Sequence, residues 1–370
     1  MTNKTHIPIS IVGCGNCASS LIQGISYYES RDETKYIPPG LKNWNLGGYH
    51  ISDIKPVCAF DIDKRKVGKF LSDIMNLEPN NTKILDKNAI IFIGDNEEVK
   101  ILKGPVLDGI ADHMRDYFQV DESQKELTKE EILEVLKRTG TEIIINYLPV
   151  GSQISTEFWA NIALESKCAF VNAIPVFIGS NEEWADKFKK ANLPIIGDDI
   201  KSQVGSTIVN RALVQMIEDR GGEVENSWQL NVGGNCDFRN MTDLSRLTSK
   251  KVSKTESISS LVSNKDAYIY AGPNGVIDCL NDNKVSFMRI DFKIFGNINC
   301  HIDIKLDVED SPNSAGIMVD AIRCAKLALD RKIGGVLIGP SAYYMKHPLV
   351  QFPDNIAKQM TEDFIKNIKN

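Results

Sequence analysis

The stretch "IPISIVGCGNCASSLIQG", Ile7 to Gly24, decides how the chain begins. Ile7 to Val12 is a short apolar run of the kind that makes a fully buried strand. Gly13-Cys14-Gly15 follows at once, and from Asn16 the spacing of apolar residues turns helical. A G-x-G-x-x-A pattern alone is weak, but strand, glycine turn and helix in that order give it a physical meaning. Gly13 permits the tight turn, Gly15 lets backbone approach a pyrophosphate, and Ala18 lets the helix pack closely on the strand. The helix N-terminus adds unpaired N–H groups and about half a positive charge. The segment therefore reads as a dinucleotide cradle built from Gly13, Gly15, Asn16, Cys17 and Ala18.

The acidic partner of such a cradle belongs at the end of the next strand, which "KPVCAFDID" supplies as Asp61. It lies farther along than the usual ~20 residues, and an inserted loop over Arg31–Ile54 accounts for the difference. Asp61 would accept the ribose hydroxyls and repel a 2′-phosphate, which favours NAD over NADP. Lys64-Arg65-Lys66 could oppose that preference by holding a 2′-phosphate, or could be the solvated face of an amphipathic helix over Asp63–Met75.

Strand-like and helix-like segments go on alternating. "TEIIINYLP", "CAFVNAIPVF" and "LPIIGDD" read as strands, with a helix at about Ser152–Lys167 between the first two. Gly94–Arg138 is polar and holds one clear helix, Lys129–Lys137, with Thr128 as its N-cap. After a helix over Ser202–Arg220 the pattern becomes period-2 in "SWQLNVGG", "AYIYAG" and the run from Val285 to Asp310, which is antiparallel behaviour. A helix over Ser314–Arg331 should return to the first unit. The chain is thus expected to be α/β: a Rossmann-type, doubly wound parallel sheet from residues 1–199 plus 312–370, with an α+β unit inserted at 200–311.

Composition narrows the classes. The 370 residues carry a formal net charge of −6 with no long basic run, so neither nucleic acid nor an anionic membrane is expected as a partner. No stretch has the ~18 apolar residues of a membrane span, and nothing resembles a signal peptide. The eight cysteines are scattered in mostly apolar surroundings, as in a reducing cytoplasm. Cys14 and Cys17 spell C-x-x-C, but no further pair completes a zinc site. The five histidines form no cluster, so no metal ligation is expected.

The residues that carry chemistry are lysines and aspartates. Lys250 and Lys254 stand four apart in "SKKVSK", Lys284 precedes a strand, and Lys346 lies among aromatics in "SAYYMKHPL". Asp198-Asp199 end a strand of the parallel sheet, Asp237 follows a glycine-rich turn, and Asp310 precedes a helix. Beside a dinucleotide such a set suits a phosphorylated, carbonyl-bearing substrate, because ammonium groups neutralise phosphate and stabilise an enolate or alkoxide.

"GNCASSLIQG", "NYLPVGS", "NAIPVFI", "GDDIKSQVG", "SKKVSKT" and "EDSPNSAG" together resemble the myo-inositol-1-phosphate synthase family in its short bacterial and archaeal form, over Pro8 to about Pro353. The resemblance implies conversion of glucose 6-phosphate to 1L-myo-inositol 1-phosphate: oxidation at C5 by NAD⁺, enolisation, aldol closure of C6 on C1, and re-reduction with no net redox change. It implies that Lys250 and Lys346 hold the C5 oxygen and that Lys254 and Lys284 face the phosphate. Asp237, Asp310 and Asp199 match acids of the site. Asn231, Asn235, Lys201 and Ser202 would bind substrate, Lys201 and Ser202 at the start of a helix aimed at the site. Leu148, Pro149, Gly151, Ser152, Ala173 and Asp198 would line the dinucleotide with Asp61. The family also implies a homotetramer assembled through the second sheet, and a monovalent or divalent cation for which no motif is visible. An ordinary NAD(P)-dependent sugar-phosphate dehydrogenase is the alternative enzyme, and a non-catalytic dinucleotide sensor the alternative of another class.

Overall fold

The computed structural model describes residues 6–29, 31, 39–85, 99–243 and 248–368, except for the side chains of residues 248, 250 and 251. The chain opens with β1 (Ile7–Val12) and α1 (Asn16–Glu29), as the glycine pattern predicts. A small hairpin, β2 (Asn45–Leu46) and β3 (Tyr49–His50), stands in the expected inserted loop, of which residues 32–38 lie outside the described set. Next come β4 (Ile54–Asp61), the short strand β5 (Ile101–Lys103), and α2 (Lys129–Thr139). α2 begins on Thr128, whose hydroxyl accepts from the Glu131 N–H while the Glu131 carboxylate accepts from the Thr128 N–H. The alternation continues with β6 (Ile143–Asn146), α3 (Gln153–Ser166), β7 (Ala169–Asn172), α4 (Glu182–Lys190) and β8 (Pro194–Ile196). The middle of the chain forms α5 (Ser206–Asp219), β9 (Glu223–Gly233), α6 (Cys236–Asn240), α7 (Thr248–Ser259), β10 (Tyr268–Val276), β11 (Asn283–Ile294) and β12 (Ile298–Glu309). It closes with α8 (Asp310–Asp330), β13 (Gly335–Val336), α9 (Ile338–Tyr344) and α10 (Asp354–Ile365).

The first sheet has seven strands in the order β13-β8-β7-β6-β1-β4-β5, and all its pairings are parallel. Ile143 and Ile145 face a cluster with Leu21 and Ile22 of α1 and Met318 and Ile322 of α8. Ile144 faces the other side, with Ile132 of α2 and Trp159 of α3. Both faces are covered, which is why these strands read as continuous apolar runs. Each such buried side chain contributes about 1.5–3 kcal/mol. From β1 the chain passes to β4 on one side and later to β6 on the other. At such a switch point the loops leave in opposite directions and a crevice opens beyond the strand ends.

The second sheet runs β10-β9-β11-β12, and α5 and α7 cover one face through Val214, Ile217 and Ile258, with Val262 just after α7 in the same cluster. β11 is antiparallel to β9 and β12, as the alternation predicts, but β10 is parallel to β9. The β9–β10 connection carries α6 and α7, and a crossover of that length returns the strand in the same direction.

Besides the direction of β10, two sequence expectations are corrected. Asp63–Met75 is not one amphipathic helix but a series of turns followed by a 3-10 segment, Leu71–Asn76. Gly68 has φ 79°, and residues 68–71 exchange backbone bonds with 99–101, including Gly68 N–H to Ile101 O at 2.8 Å and Ile101 N–H to Lys69 O at 2.8 Å. That pairing claims the groups a helix would use. The helix expected from Ser202 starts at Ser206, with Gly205 extended before it.

Candidate active site

The glycine turn has the expected form. Gly13 adopts φ 90°, and a Cβ there would stand 2.6 Å from the Tyr147 carbonyl oxygen. Among the described residues nothing comes within 4 Å of a Cβ position at Gly15, so space is open there in front of the α1 N-terminus. Asp61 ends β4 and accepts from the Cys14 N–H at 2.8 Å, the Ile62 N–H at 2.7 Å and the Asp63 N–H at 2.9 Å. Its carboxylate is therefore pinned beside the turn. The basic triplet is not a solvated helix face: Lys66 is buried 3.8 Å from Asp61, Arg65 is held by Asp63 at 2.5 and 2.9 Å, and Lys64 pairs with Gln119. An open glycine turn, a helix N-terminus and an anchored carboxylate fit a dinucleotide.

A cleft runs from this turn to the second sheet. Gly13, Gly15, Asn16, Cys17, Asp61, Leu148, Pro149 and Ala173 line its first part. Asp199, Ser202, Asn231, Asn235, Asp237, Lys254, Lys284, Asp310 and Lys346 line the rest. Lys250 lies in α7, but its side chain is outside the described set.

At the floor, Lys346 Nζ donates to Asp199 Oδ1 at 2.9 Å and Ser253 Oγ donates to Asp199 Oδ2 at 2.7 Å. Lys284 bonds Asp310, the first residue of α8. Asn235 caps α6, accepting from the Asp237 and Phe238 N–H groups at 3.1 and 3.2 Å, which places Asp237 in the first turn. Asn235 also donates to Asp282 Oδ1 at 3.0 Å. Asp282 is fully buried and further accepts from Asn16 Nδ2 at 3.0 Å, Ser311 N–H at 3.1 Å and Ser311 Oγ at 2.9 Å. Burial, and then the Asp310 charge, push its carboxyl up. One acid thus ties the glycine turn to the β9–α6 loop and to the α8 N-terminus.

Some expected site residues are elsewhere. Asp198 is buried away from the cleft, where its carboxylate accepts from Asn172 Nδ2, the N–H groups of Ile178, Gly179 and Ser180, and Ser180 Oγ at 2.7–3.0 Å. Burial raises its carboxyl to about 6 while these donors restrain the rise. Of the two neighbouring acids, Asp199 faces the site and Asp198 holds the loop of residues 178–180. Lys201 is not at a helix start aimed at the cleft. Its ammonium is buried against Ala342 O at 2.9 Å and Asp354 at 3.1 Å, beside Arg211. Ala18 packs in the core. Gly151 and Ser152 do not line the cleft, and the start of α3 beside them is capped by Asp108, which accepts from the Ile154 and Ser155 N–H groups at 2.8 Å.

Cys14 and Cys17 are free thiols, and burial followed by the Asp282 charge pushes Cys17 up to about 12. Among the described residues no group of three or more His, Cys, Asp or Glu is placed to hold a metal ion. The sequence reading missed Gln229, Ser253 and Asp282. It also missed the strap around Val106–Met114 that walls the cleft near Asp61. Asp282, two residues before Lys284, offered a signal, whereas the others meet the site only through the fold.

The family model described as myo-inositol-1-phosphate synthase matches residues 205–311. Inositol-3-phosphate synthase of Corynebacterium glutamicum is 44% identical over 98% of this chain and 99% of that protein. Inositol-3-phosphate synthase of Mycobacterium tuberculosis is 44% identical over 98% of this chain and 96% of that protein. In fold, the structure of a myo-inositol-1-phosphate synthase-related protein from Thermotoga maritima superposes with a TM-score of 0.78, covering 98% of each chain at 24% identity. Identity of this order over nearly the whole of both chains, together with the cleft that joins a glycine turn to paired lysines and aspartates, means that the chain belongs to the myo-inositol-1-phosphate synthase family.

Proposed function

We propose that the protein is an isomerase that converts D-glucose 6-phosphate to 1L-myo-inositol 1-phosphate with bound NAD⁺ and no net redox change. One observation carries this reading: Lys254, Lys284 and Lys346 enter the same cleft as the glycine turn, and two of them are paired with the carboxylates of Asp310 and Asp199. A dinucleotide bound there would supply hydride acceptance and return at C5.

The chain's own groups do the rest in this reading. The α1 N-terminus and the Gly13–Gly15 turn receive the pyrophosphate, and Asp61 receives the ribose. Lys346, with Lys250, holds the C5 oxygen as negative charge develops on it, and Asp199 fixes the Lys346 ammonium. Lys254 and Lys284 receive the phosphate, with Asp310 orienting Lys284. Asp237 and Asn235 face the substrate from the α6 side. Residues 200–311 act as the unit for catalysis and assembly, set between 1–199 and 312–370.

The homotetramer belongs to the same proposal. Leu230 and Phe287 are cross-strand neighbours on the second sheet and 36% and 45% exposed, and Tyr268, farther along on β10, is 63% exposed. An uncovered apolar patch of this kind marks an association surface. A cytoplasmic location is in keeping with eight free cysteines, and among the described residues no helix is long and apolar enough to cross a membrane.

The test is to incubate the protein with NAD⁺ and glucose 6-phosphate, with and without a monovalent or divalent salt, following the phosphorus NMR spectrum and the NADH absorbance. Inositol 1-phosphate without bulk NADH is the expected result. NADH rising in step with an oxidised sugar phosphate would identify an ordinary dehydrogenase.

A further inference from the structure

We infer that Gln229, rather than Asn231, supplies the direct contact from β9 to the substrate, its side-chain oxygen accepting a hydrogen bond from a hydroxyl of the hexose phosphate. The inference rests on the substrate reading just given.

Asn231 lines the cleft, but its side chain is already used. Nδ2 donates to the Gly272 carbonyl at 2.6 Å. Oδ1 faces Ser286 Oγ at 2.7 Å, Ser206 Oγ at 3.1 Å and Gln229 Nε2 at 3.1 Å. A carbonyl can only accept, so Gly272 fixes which end of the Asn231 amide turns towards it. The Asn231 oxygen then faces Gln229 and fixes that amide in turn, with Nε2 directed at Asn231. The Gln229 oxygen is thereby left over. It is buried, the residue being only 1% exposed, and among the described residues it has no hydrogen-bond partner. Gln229 lines the same cleft as Ser206 and Lys254.

A buried acceptor without a partner is costly, and one held in place by a relay of amides calls for an explanation. The relay presents a lone pair that rejects other acceptors. Phosphate oxygens and a ketone are therefore excluded at this point, and a sugar hydroxyl, which can donate, is what fits. Reduction and ring closure engage C1, C5 and C6, so the hydroxyl received here is one of those at C2, C3 or C4. Gln229 thus acts on the choice of sugar.

The experiment compares the parent with Gln229→Met, using glucose 6-phosphate and its 2-, 3- and 4-deoxy analogues, with NAD⁺ affinity measured by calorimetry. The parent should discriminate against one deoxy analogue by about 10- to 100-fold in kcat/KM. Gln229→Met should bind NAD⁺ within about twofold of the parent. It should lose a similar 10- to 100-fold on glucose 6-phosphate, and it should treat that compound and the discriminated analogue alike. Should Gln229→Met lose its cooperative thermal transition, Gln229→Glu, which keeps an acceptor of the same reach, is used, and it should retain the discrimination. A parent that converts glucose 6-phosphate while Gln229→Met keeps the discrimination, or loses activity equally on every analogue, overturns the inference alone. A parent that converts no hexose phosphate overturns the substrate reading and the inference together.

Discussion

Lys346 and Asp199 are joined twice: the ammonium stands 2.9 Å from the carboxylate, and the Lys346 N–H donates to the Asp199 carbonyl at 2.7 Å. An isolated bridge between their neighbours, Ile200 and Met345, closes the clamp. An acid just beyond β8 and a lysine just beyond α9 are thus held as one unit at the floor of the cleft. Removing either partner leaves a buried charge uncompensated.

Lys346→Met should therefore reduce inositol 1-phosphate formation by about 10²–10³-fold, the usual effect of losing one preorganised donor. NAD⁺ affinity, read by calorimetry, should stay within a few-fold. Turnover close to that of the parent would remove Lys346 from the chemistry.

Asp61→Ala should weaken NAD⁺ more than glucose 6-phosphate, because in the proposed reading the carboxylate receives the ribose, and it also accepts from the Cys14 N–H of the glycine turn. An increase in the NAD⁺ dissociation constant of about tenfold or more is expected from one charge-assisted bond. Equal losses for both ligands would mean that Asp61 serves the turn alone.

Gly13→Ala adds a Cβ 2.6 Å from the Tyr147 carbonyl at a φ of 90°. The strain alone is about 1–3 kcal/mol, so a lower melting temperature and loss of NAD⁺ binding should appear together. The same change at Gly15, where space is open, should leave the melting temperature nearly unchanged and act on cofactor affinity.

Lys201 carries a pH signature. Burial, only partly offset by Asp354, lowers its ammonium from 10.5 to about 8. Between those values the unfolded chain holds a proton that the folded chain has released, so this residue makes stability rise with pH across that window. Denaturant titrations at pH 8, 9 and 10 should show the parent gaining stability relative to Lys201→Met. A constant difference between the two would contradict the assignment.

Phe287→Glu places a charge in the exposed apolar patch beside Leu230. Light scattering behind a sizing column should report a smaller assembly than the parent's with an unchanged far-ultraviolet spectrum. An unchanged mass would exclude this face as the tetramer contact.

Some features were legible because they are local. The glycine spacing at Gly13 and Gly15, the Thr128 cap and the continuous apolar strands are each written within a few residues, and backbone sterics and burial enforce them without help from afar. The failures arose where distant segments compete for the same backbone groups. The periodicity of Asp63–Met75 satisfies a helix, but pairing of residues 68–71 with 99–101 wins the backbone groups. The direction of β10 was not legible either, since alternation reports which face is buried and not which way a strand runs.

By itself, then, the sequence determined the parallel α/β half, the glycine turn that opens it and the set of lysines and aspartates available for chemistry. Only the tertiary structure decided which of them meet. Asp198 and Asp199 are adjacent in sequence, yet one holds a buried loop and the other holds Lys346. Lys201 has the same charge as Lys346, yet it is turned to Asp354. Residue type sets what a side chain can do, but a hydrogen bond or ion pair needs a partner within about 3 Å, and partners drawn from distant segments are assigned only when the whole chain has packed.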